Sequence, residues 1–156
     1  MANELVPESR VYRHIKCGAE TVVSDEAFSV VSNPLADMTR TWCTPCNAFF
    51  PVSEYEWADT GEKIVDYYSR HSTKATAVDR FLCSKTFLLV SVVLFALAGI
   101  AAGYFITRNG GWGQRLLVSG ILAFIGVFAA AALNVSVISK AIVKRVCGVA
   151  DTRTLK

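Results

Sequence analysis

The chain has 156 residues, of which 53% are hydrophobic and 19% are charged, so it is more apolar than a typical soluble domain. Its five cysteines, an odd number, argue against a fully paired disulfide framework. The residues up to Arg80 include 8 basic and 12 acidic side chains, whereas the remaining residues include 8 basic side chains and one acid. Because the first half is acidic, it lacks the basic surface of a nucleic-acid-binding domain, and no nucleic-acid partner is expected.

Two pairs of potential metal ligands lie in the first half of the chain. Each pair has two residues between its members, and the pairs are His14 with Cys17 and Cys43 with Cys46. This spacing lets a tight turn aim two side chains at one metal ion. The residue after the second ligand often needs a left-handed backbone, and Gly18 and Asn47, which tolerate it, stand at these places. The pattern predicts a tetrahedral Cys3His site.

The paired turns resemble the zinc-ribbon class from about His14 to Phe50, with His14 standing where the first cysteine usually lies. The resemblance implies a structural zinc ion whose four positions are all filled by protein, which leaves none for a substrate. Such a site contributes on the order of 10 kcal/mol to folding, which suits a small domain with a limited core. His71 is an alternative fourth ligand. Iron is an alternative metal, although rubredoxin-type iron is bound by four thiolates.

The segment Trp42-Cys43-Thr44-Pro45-Cys46 also resembles the active-site motif of thioredoxin-like proteins. That resemblance implies that Cys43 is an attacking thiolate and Cys46 its resolving cysteine. In that family the motif follows a buried strand and opens a helix. Residues 33–41 do not have the pattern of a buried strand, and Pro51 interrupts any long helix after Cys46. A redox pair therefore remains the alternative to the metal site.

The linker between the ligand pairs contains a predicted strand and a predicted helix. Thr21–Val23 is rich in β-branched residues and is expected to pair with Ala48–Phe50 to form the ribbon. Ser24 is a suitable N-cap for a short helix that should end before Asn33-Pro34.

Further helices are predicted between the second ligand pair and the apolar segments. Ser53 and Glu56 have the spacing of a capping box for one helical turn. Glu62–Ser72 is predicted to be a helix with three apolar or aromatic residues on one face, namely Ile64, Val65 and Tyr68. Ala75–Lys85 is expected to continue directly into the first apolar helix.

Residues 86–107 and 116–138 are uncharged runs of 22 and 23 residues, each long enough to cross a bilayer as a helix. In lipid such runs must be helical, because every backbone polar group needs a partner within the segment. The eight residues between them, RNGGWGQR, predict a tight turn, so the two spans form an antiparallel hairpin. Nine basic residues lie near the ends shared with the termini and two lie in the turn, which places both termini in the cytoplasm.

The spans contain small residues at helical spacing but no ionisable side chains. Gly99 with Gly103, and Gly126 with Ala130, are typical of close helix contacts, either within the hairpin or with a protein partner or second copy. The absence of ionisable residues argues against a proton relay or ion pathway. Cys83 and Cys147 lie beside the membrane and are interpreted as reduced cysteines, with palmitoylation or mutual proximity as alternatives.

The predicted architecture is an α+β zinc-ribbon-like domain in residues 1–75, followed by residues 76–156, which contain a juxtamembrane helix, a two-span α-helical transmembrane hairpin and a basic C-terminal tail. The predicted function is non-enzymatic. An accessory or scaffolding subunit would present a zinc ribbon at the cytoplasmic membrane surface to a protein partner, with the lipid bilayer as its other contact and no small-molecule substrate. The alternative is a membrane-tethered thiol–disulfide oxidoreductase that uses Cys43 and Cys46.

Overall fold

The computed structural model describes residues 6–156. The predicted first domain begins at Met1, so its first five residues lie outside the described part of the chain. Two compact units are present. One joins the chain up to Arg80 with Ile142–Lys156, and the other is Phe81–Ala141.

The first unit contains two small antiparallel sheets. The three-stranded sheet has the order β2-β1-β5, and the two-stranded sheet pairs β3 with β4. The strands are β1 (Ser9–His14), β2 (Glu20–Ser24), β3 (Arg40–Cys43), β4 (Ala48–Pro51) and β5 (Tyr55–Trp57). Small antiparallel sheets followed by long helices confirm the α+β part of the predicted fold.

The predicted pairing of Thr21–Val23 with Ala48–Phe50 is wrong. Thr21–Val23 lies in β2, which pairs with β1, and Ala48–Phe50 lies in β4, which pairs with β3. Each turn that carries a predicted ligand pair joins two strands that are consecutive in the chain. Short turns favour pairing between the strands that they connect, so each turn forms a local hairpin.

Aromatic side chains form much of the core of this unit, and the hydroxyl groups of its three buried tyrosines are hydrogen-bonded, whereas Nε1 of the buried Trp57 has no hydrogen-bond partner in the described part of the chain. Tyr12, Tyr55 and Tyr67 are almost completely buried. Their hydroxyls donate to the backbone carbonyls of Trp42, Thr41 and Ser32 at 2.6, 3.2 and 3.0 Å. Because the phenolic groups have partners, the rings can be buried without leaving a polar atom unpaired.

Three helices accompany the sheets in the first half of the chain: α1 (Asp25–Val31), α2 (Ile64–His71) and α3 (Ala77–Leu82). The helix α1 follows the predicted N-cap Ser24 and ends before Asn33. In α2 the buried positions are Ile64 and Tyr67, whereas Val65, which was expected on the same face as Ile64, is 36% exposed.

Two predictions about helix starts are wrong. The single turn near Ser53 is a 3-10 turn, Val52–Glu54, and Glu56 lies in β5, so Ser53 and Glu56 form no capping box. The helix expected from Ala75 to Lys85 is broken, because α3 ends at Leu82 and the Oγ atom of Ser84 accepts a hydrogen bond from the backbone N–H of Phe87. Serine side chains compete for backbone groups in this way and favour helix starts.

The end of the chain packs into the first unit. Leu155 belongs to the aromatic core, and Cys147 packs against it. The side chains of Arg70 and His71 contact the backbone oxygen of Lys156 at 2.9 and 3.2 Å. From its basic residues this stretch was expected to be a tail of the second domain, but Leu155 is buried in the core of the first unit.

Asp79 is buried, and its hydrogen bonds with Thr76 stabilise the first turn of α3. Its Oδ2 atom accepts hydrogen bonds from the backbone N–H and the hydroxyl of Thr76 at 3.0 and 2.9 Å, and its own N–H donates to the Thr76 hydroxyl at 3.2 Å. This is a reciprocal capping box. Arg145, near the end of the chain, pairs with the second carboxylate oxygen. The hydrogen bond from the backbone N–H of Thr76 lowers the pKa of Asp79 below its ordinary value.

Replacing Asp79 with asparagine is expected to lower the melting temperature at neutral pH. The pKa of Asp79 is lower in the folded state than in the unfolded state. The carboxylate therefore stabilises the fold above the ordinary aspartate pKa, and this contribution is lost as the pH falls through the folded-state value. Thermal unfolding measured between about pH 3 and pH 7 should show a steeper loss of stability in the wild type than in the variant. Parallel curves would contradict this role.

The second unit is built from two long apolar helices, α4 (Lys85–Ile106) and α5 (Trp112–Leu133). Each has 22 residues and is long and apolar enough to cross a membrane. The helix α5 begins at Trp112, before the predicted start at residue 116. It is followed by a π-helical segment, Asn134–Ile138, and by α6, Ser139–Cys147.

The small residues of α4 and α5 meet within this unit. A Cβ atom added at Gly103 would lie 2.5 Å from the Cα atom of Ser119, and one added at Gly126 would lie 2.5 Å from the backbone oxygen of Phe95. Gly99 faces the backbone of Leu122, and Ala130 is fully buried. Because glycine has no side chain, the backbones of the two helices approach each other closely at these positions.

Candidate metal centre

The four predicted ligands converge on one point in the first unit. The ligand atoms of His14, Cys17, Cys43 and Cys46 all lie within 4.8 Å of one another. The Nδ1 atom of His14 is 3.1 Å from the sulfur of Cys17 and 3.9 Å from that of Cys46. The sulfur atoms of Cys17 and Cys43 are 3.7 Å apart. These residues could hold a metal ion.

The two hairpins place the ligands. His14 is the last residue of β1 and Cys43 the last residue of β3, and each turn carries the second cysteine of its pair. Gly18 and Asn47 have φ values of +68° and +51°, the left-handed conformation that the spacing predicts. These backbone turns direct both members of a pair to the same side.

The distances fit a tetrahedral site better than a disulfide. Zinc bonds of about 2.3 Å to sulfur and about 2.05 Å to nitrogen place two sulfur ligands about 3.8 Å apart and a nitrogen and a sulfur about 3.5 Å apart. The observed sulfur–sulfur distance of 3.7 Å matches the first value, and the nitrogen–sulfur distances of 3.1 and 3.9 Å lie on either side of the second. A disulfide requires about 2.05 Å, so the Cys17 and Cys43 sulfurs are not bonded to each other.

The centre has a buried half and an exposed half. The buried half consists of His14, 2% exposed, and Cys43, fully buried in the aromatic core. The imidazole of His14 stacks between the rings of Phe50 and Tyr55, with centroid distances of 4.4 and 4.9 Å. The exposed half consists of Cys17 and Cys46.

Glu54 contacts the ring nitrogen of His14 that does not face the cysteines. Its Oε2 atom lies 3.3 Å from Nε2 of His14, and its Oε1 atom accepts a 2.8 Å hydrogen bond from Lys16. Lys16, and then His14, hold the pKa of Glu54 below its ordinary value. A carboxylate at one ring nitrogen orients a metal-ligating imidazole and fixes its tautomer, which leaves Nδ1 as the ligand atom. No sequence spacing pointed to Glu54, because it is distant in the chain and reaches His14 only through the fold.

Replacing Glu54 with alanine is expected to weaken zinc affinity about 10–100-fold, since this is the usual effect of removing a carboxylate behind a ligating histidine. Competition with a chromophoric chelator measures the dissociation constant. Glu56→Ala is the matched control, because Glu56 pairs with Arg13 and lies outside the ligand cluster. Equal affinities for the two variants would contradict the role of Glu54.

The surroundings of Cys17 and Cys46 shift their thiol pKa values in opposite directions. A hydrogen bond from the backbone of Ala19 lowers the pKa of Cys17 to about 7, whereas the neighbouring sulfurs of Cys17 and Cys43 raise the pKa of Cys46 to about 12. One thiol therefore ionises readily, whereas the ionisation of a second thiol is unfavourable. A divalent cation between the sulfurs removes this repulsion, so the donor set is suited to a metal ion.

The surroundings of Cys43 and Cys46 differ from those of a thioredoxin-like motif. Residues 40–42, which were expected not to be a strand, do form β3 together with Cys43. The segment after Cys46 is the strand β4 rather than a helix. Because Cys43 is fully buried, its sulfur is poorly placed to attack an external disulfide.

All four predicted ligands come together, and the alternative ligand His71 lies elsewhere, against Lys156. Cys83 and Cys147 are not members of the cluster. No family model matches the chain, and neither a curated protein nor a solved structure matches it.

Proposed function

We propose that this protein is a non-enzymatic, membrane-anchored zinc protein whose zinc-ribbon-like domain is presented at the cytoplasmic membrane surface. The observation that carries the proposal is the convergence of one imidazole nitrogen and three sulfurs within 4.8 Å. The role that fits such a structural unit is that of an accessory or scaffolding subunit.

The donor set favours zinc and a structural role. Three thiolates and one imidazole are a common tetrahedral zinc set, whereas iron of the rubredoxin type uses four thiolates. Four protein ligands leave no position for water or substrate. The carboxylate of Glu54 lies beside Nε2 of His14, where a metal-ligating histidine usually has a hydrogen-bonding partner.

The apolar helices supply the proposed anchor. Two helices of 22 residues match a hydrocarbon core of about 30 Å. The excess of basic residues near the ends shared with the termini supports a cytoplasmic location for both termini. We further propose a protein partner within a membrane complex, or a second copy, in contact with the helices. Among the small residues first suggested for that contact, Gly99, Gly103 and Gly126 lie against the backbone of the other helix, and Ala130 is fully buried.

Metal analysis of the full chain, purified from membranes in mild detergent, tests the proposal. We expect one zinc ion per chain, and cobalt substitution should give the absorption of a tetrahedral site with thiolate ligands. Metal-free protein whose Cys43–Cys46 pair cycles between dithiol and disulfide would overturn the proposal in favour of the oxidoreductase. Recovery of the chain in the soluble fraction would overturn the membrane anchor.

A further inference from the structure

An oxidant dissolved in water has access to the exposed half of the candidate metal centre but not to its buried half. Cys17 and Cys46 are exposed residues, whereas Cys43 is fully buried and His14 is 2% exposed. The exposed sulfurs come from different hairpins, yet their ligand atoms lie within 4.8 Å of each other. A reagent in water therefore reaches two neighbouring thiolates that belong to the same site.

We propose that the centre is a redox switch, in which a peroxide oxidises Cys17 and Cys46 to a disulfide and the metal ion is released. The inference rests on the proposed zinc function and adds a means of regulating that site. The thiolate is the nucleophile toward peroxide, and exposure selects which thiolates react.

The chemistry balances with hydrogen peroxide as the oxidant. One thiolate sulfur attacks a peroxide oxygen, the O–O bond breaks, and with one proton a sulfenic acid and a water molecule form. The second thiolate then attacks the sulfenic sulfur and, with another proton, a disulfide and a second water molecule form. Two electrons pass from sulfur to oxygen, and the zinc ion, left with two ligands, dissociates.

The oxidation is reversible because the two buried ligands keep their positions. Cys43 belongs to the aromatic core, and the ring of His14 is held between Phe50 and Tyr55 and contacts Glu54. The Cys17–Cys46 disulfide joins the same two hairpins that the metal ion joins, so the inner ligands stay in place when the outer pair is oxidised. Reduction of the disulfide in the presence of zinc then restores the metal site.

The test uses the zinc-loaded full chain in detergent, with Cys83→Ser and Cys147→Ser introduced so that only cluster thiols remain. Hydrogen peroxide is titrated while released zinc is followed with a chromophoric chelator, and disulfides are mapped by mass spectrometry of peptides. We expect one zinc ion released for each disulfide, a Cys17–Cys46 link as the first product, and recovery of zinc binding after reduction with a phosphine.

The outcomes separate this inference from the proposed function. Absence of zinc from the starting protein would defeat the proposed function. Zinc-loaded protein in which the first link includes Cys43, or in which zinc leaves without a disulfide, would overturn the switch and leave the structural zinc role intact. The wild-type chain, treated in parallel, should give the same first link.

Discussion

Replacing Cys43 with serine is expected to abolish metal binding and unfold the first unit, while α4 and α5 remain helical. The sulfur of Cys43 is a proposed ligand and is fully buried in the aromatic core. Metal binding at such a site is worth on the order of 10 kcal/mol, which is comparable with the whole stability of a small domain. Fluorescence of the buried Trp57 and limited proteolysis would report the loss of this unit, and the helical circular dichroism should largely persist.

The matched control is Cys83→Ser, which makes the same chemical change outside the ligand cluster. It should keep one zinc ion per chain. Because a buried serine is itself unfavourable, a second measurement is needed: a strong chelator added to the wild-type chain should reproduce the effect of Cys43→Ser. A wild-type chain whose unfolding midpoint is insensitive to chelation would contradict the structural role of the metal.

The turn within each pair of candidate ligands could be predicted because it depends on local geometry, whereas the meeting of the two pairs depends on the fold. Two intervening residues, followed by Gly18 or Asn47, specify a tight turn whatever surrounds it, and both residues have the expected left-handed backbone. The lengths of the apolar helices are likewise local properties, set by uncharged runs in the sequence. Periodicity and spacing are sufficient for features of this kind.

The features that were missed depend on contacts between distant parts of the chain. Glu54 meets His14 only after β1 and β5 have paired. Leu155 lies in a basic stretch that was predicted to be a tail of the second domain, yet its side chain lies in the core of the first unit. The pairing of Thr21–Val23 was misjudged because both β1 and β4 are plausible partners for a short β-prone run, and the turn at Cys17 decides between them.

Replacing Gly103 with alanine is expected to destabilise the packing of α4 against α5 by about 1–3 kcal/mol, as overpacking does in well-packed interiors. The new Cβ atom would lie 2.5 Å from the Cα atom of Ser119, so one of the two backbones must move. Gly120→Ala is the matched control, because nothing lies within 4 Å of its added Cβ atom. Unfolding in mixed micelles with increasing dodecyl sulfate, followed by energy transfer between labels on the two helices, measures the difference.

The comparison also bears on where a membrane partner would bind. A loss of stability in Gly103→Ala but not in Gly120→Ala means that Gly103 is committed to the contact between α4 and α5, and a partner must then approach the outer faces of these helices. Equal stability of the two variants would contradict the close approach at Ser119. In that case Gly103, together with Gly99 one helical turn earlier, would be available to a second protein, because small residues let helices in lipid come together closely.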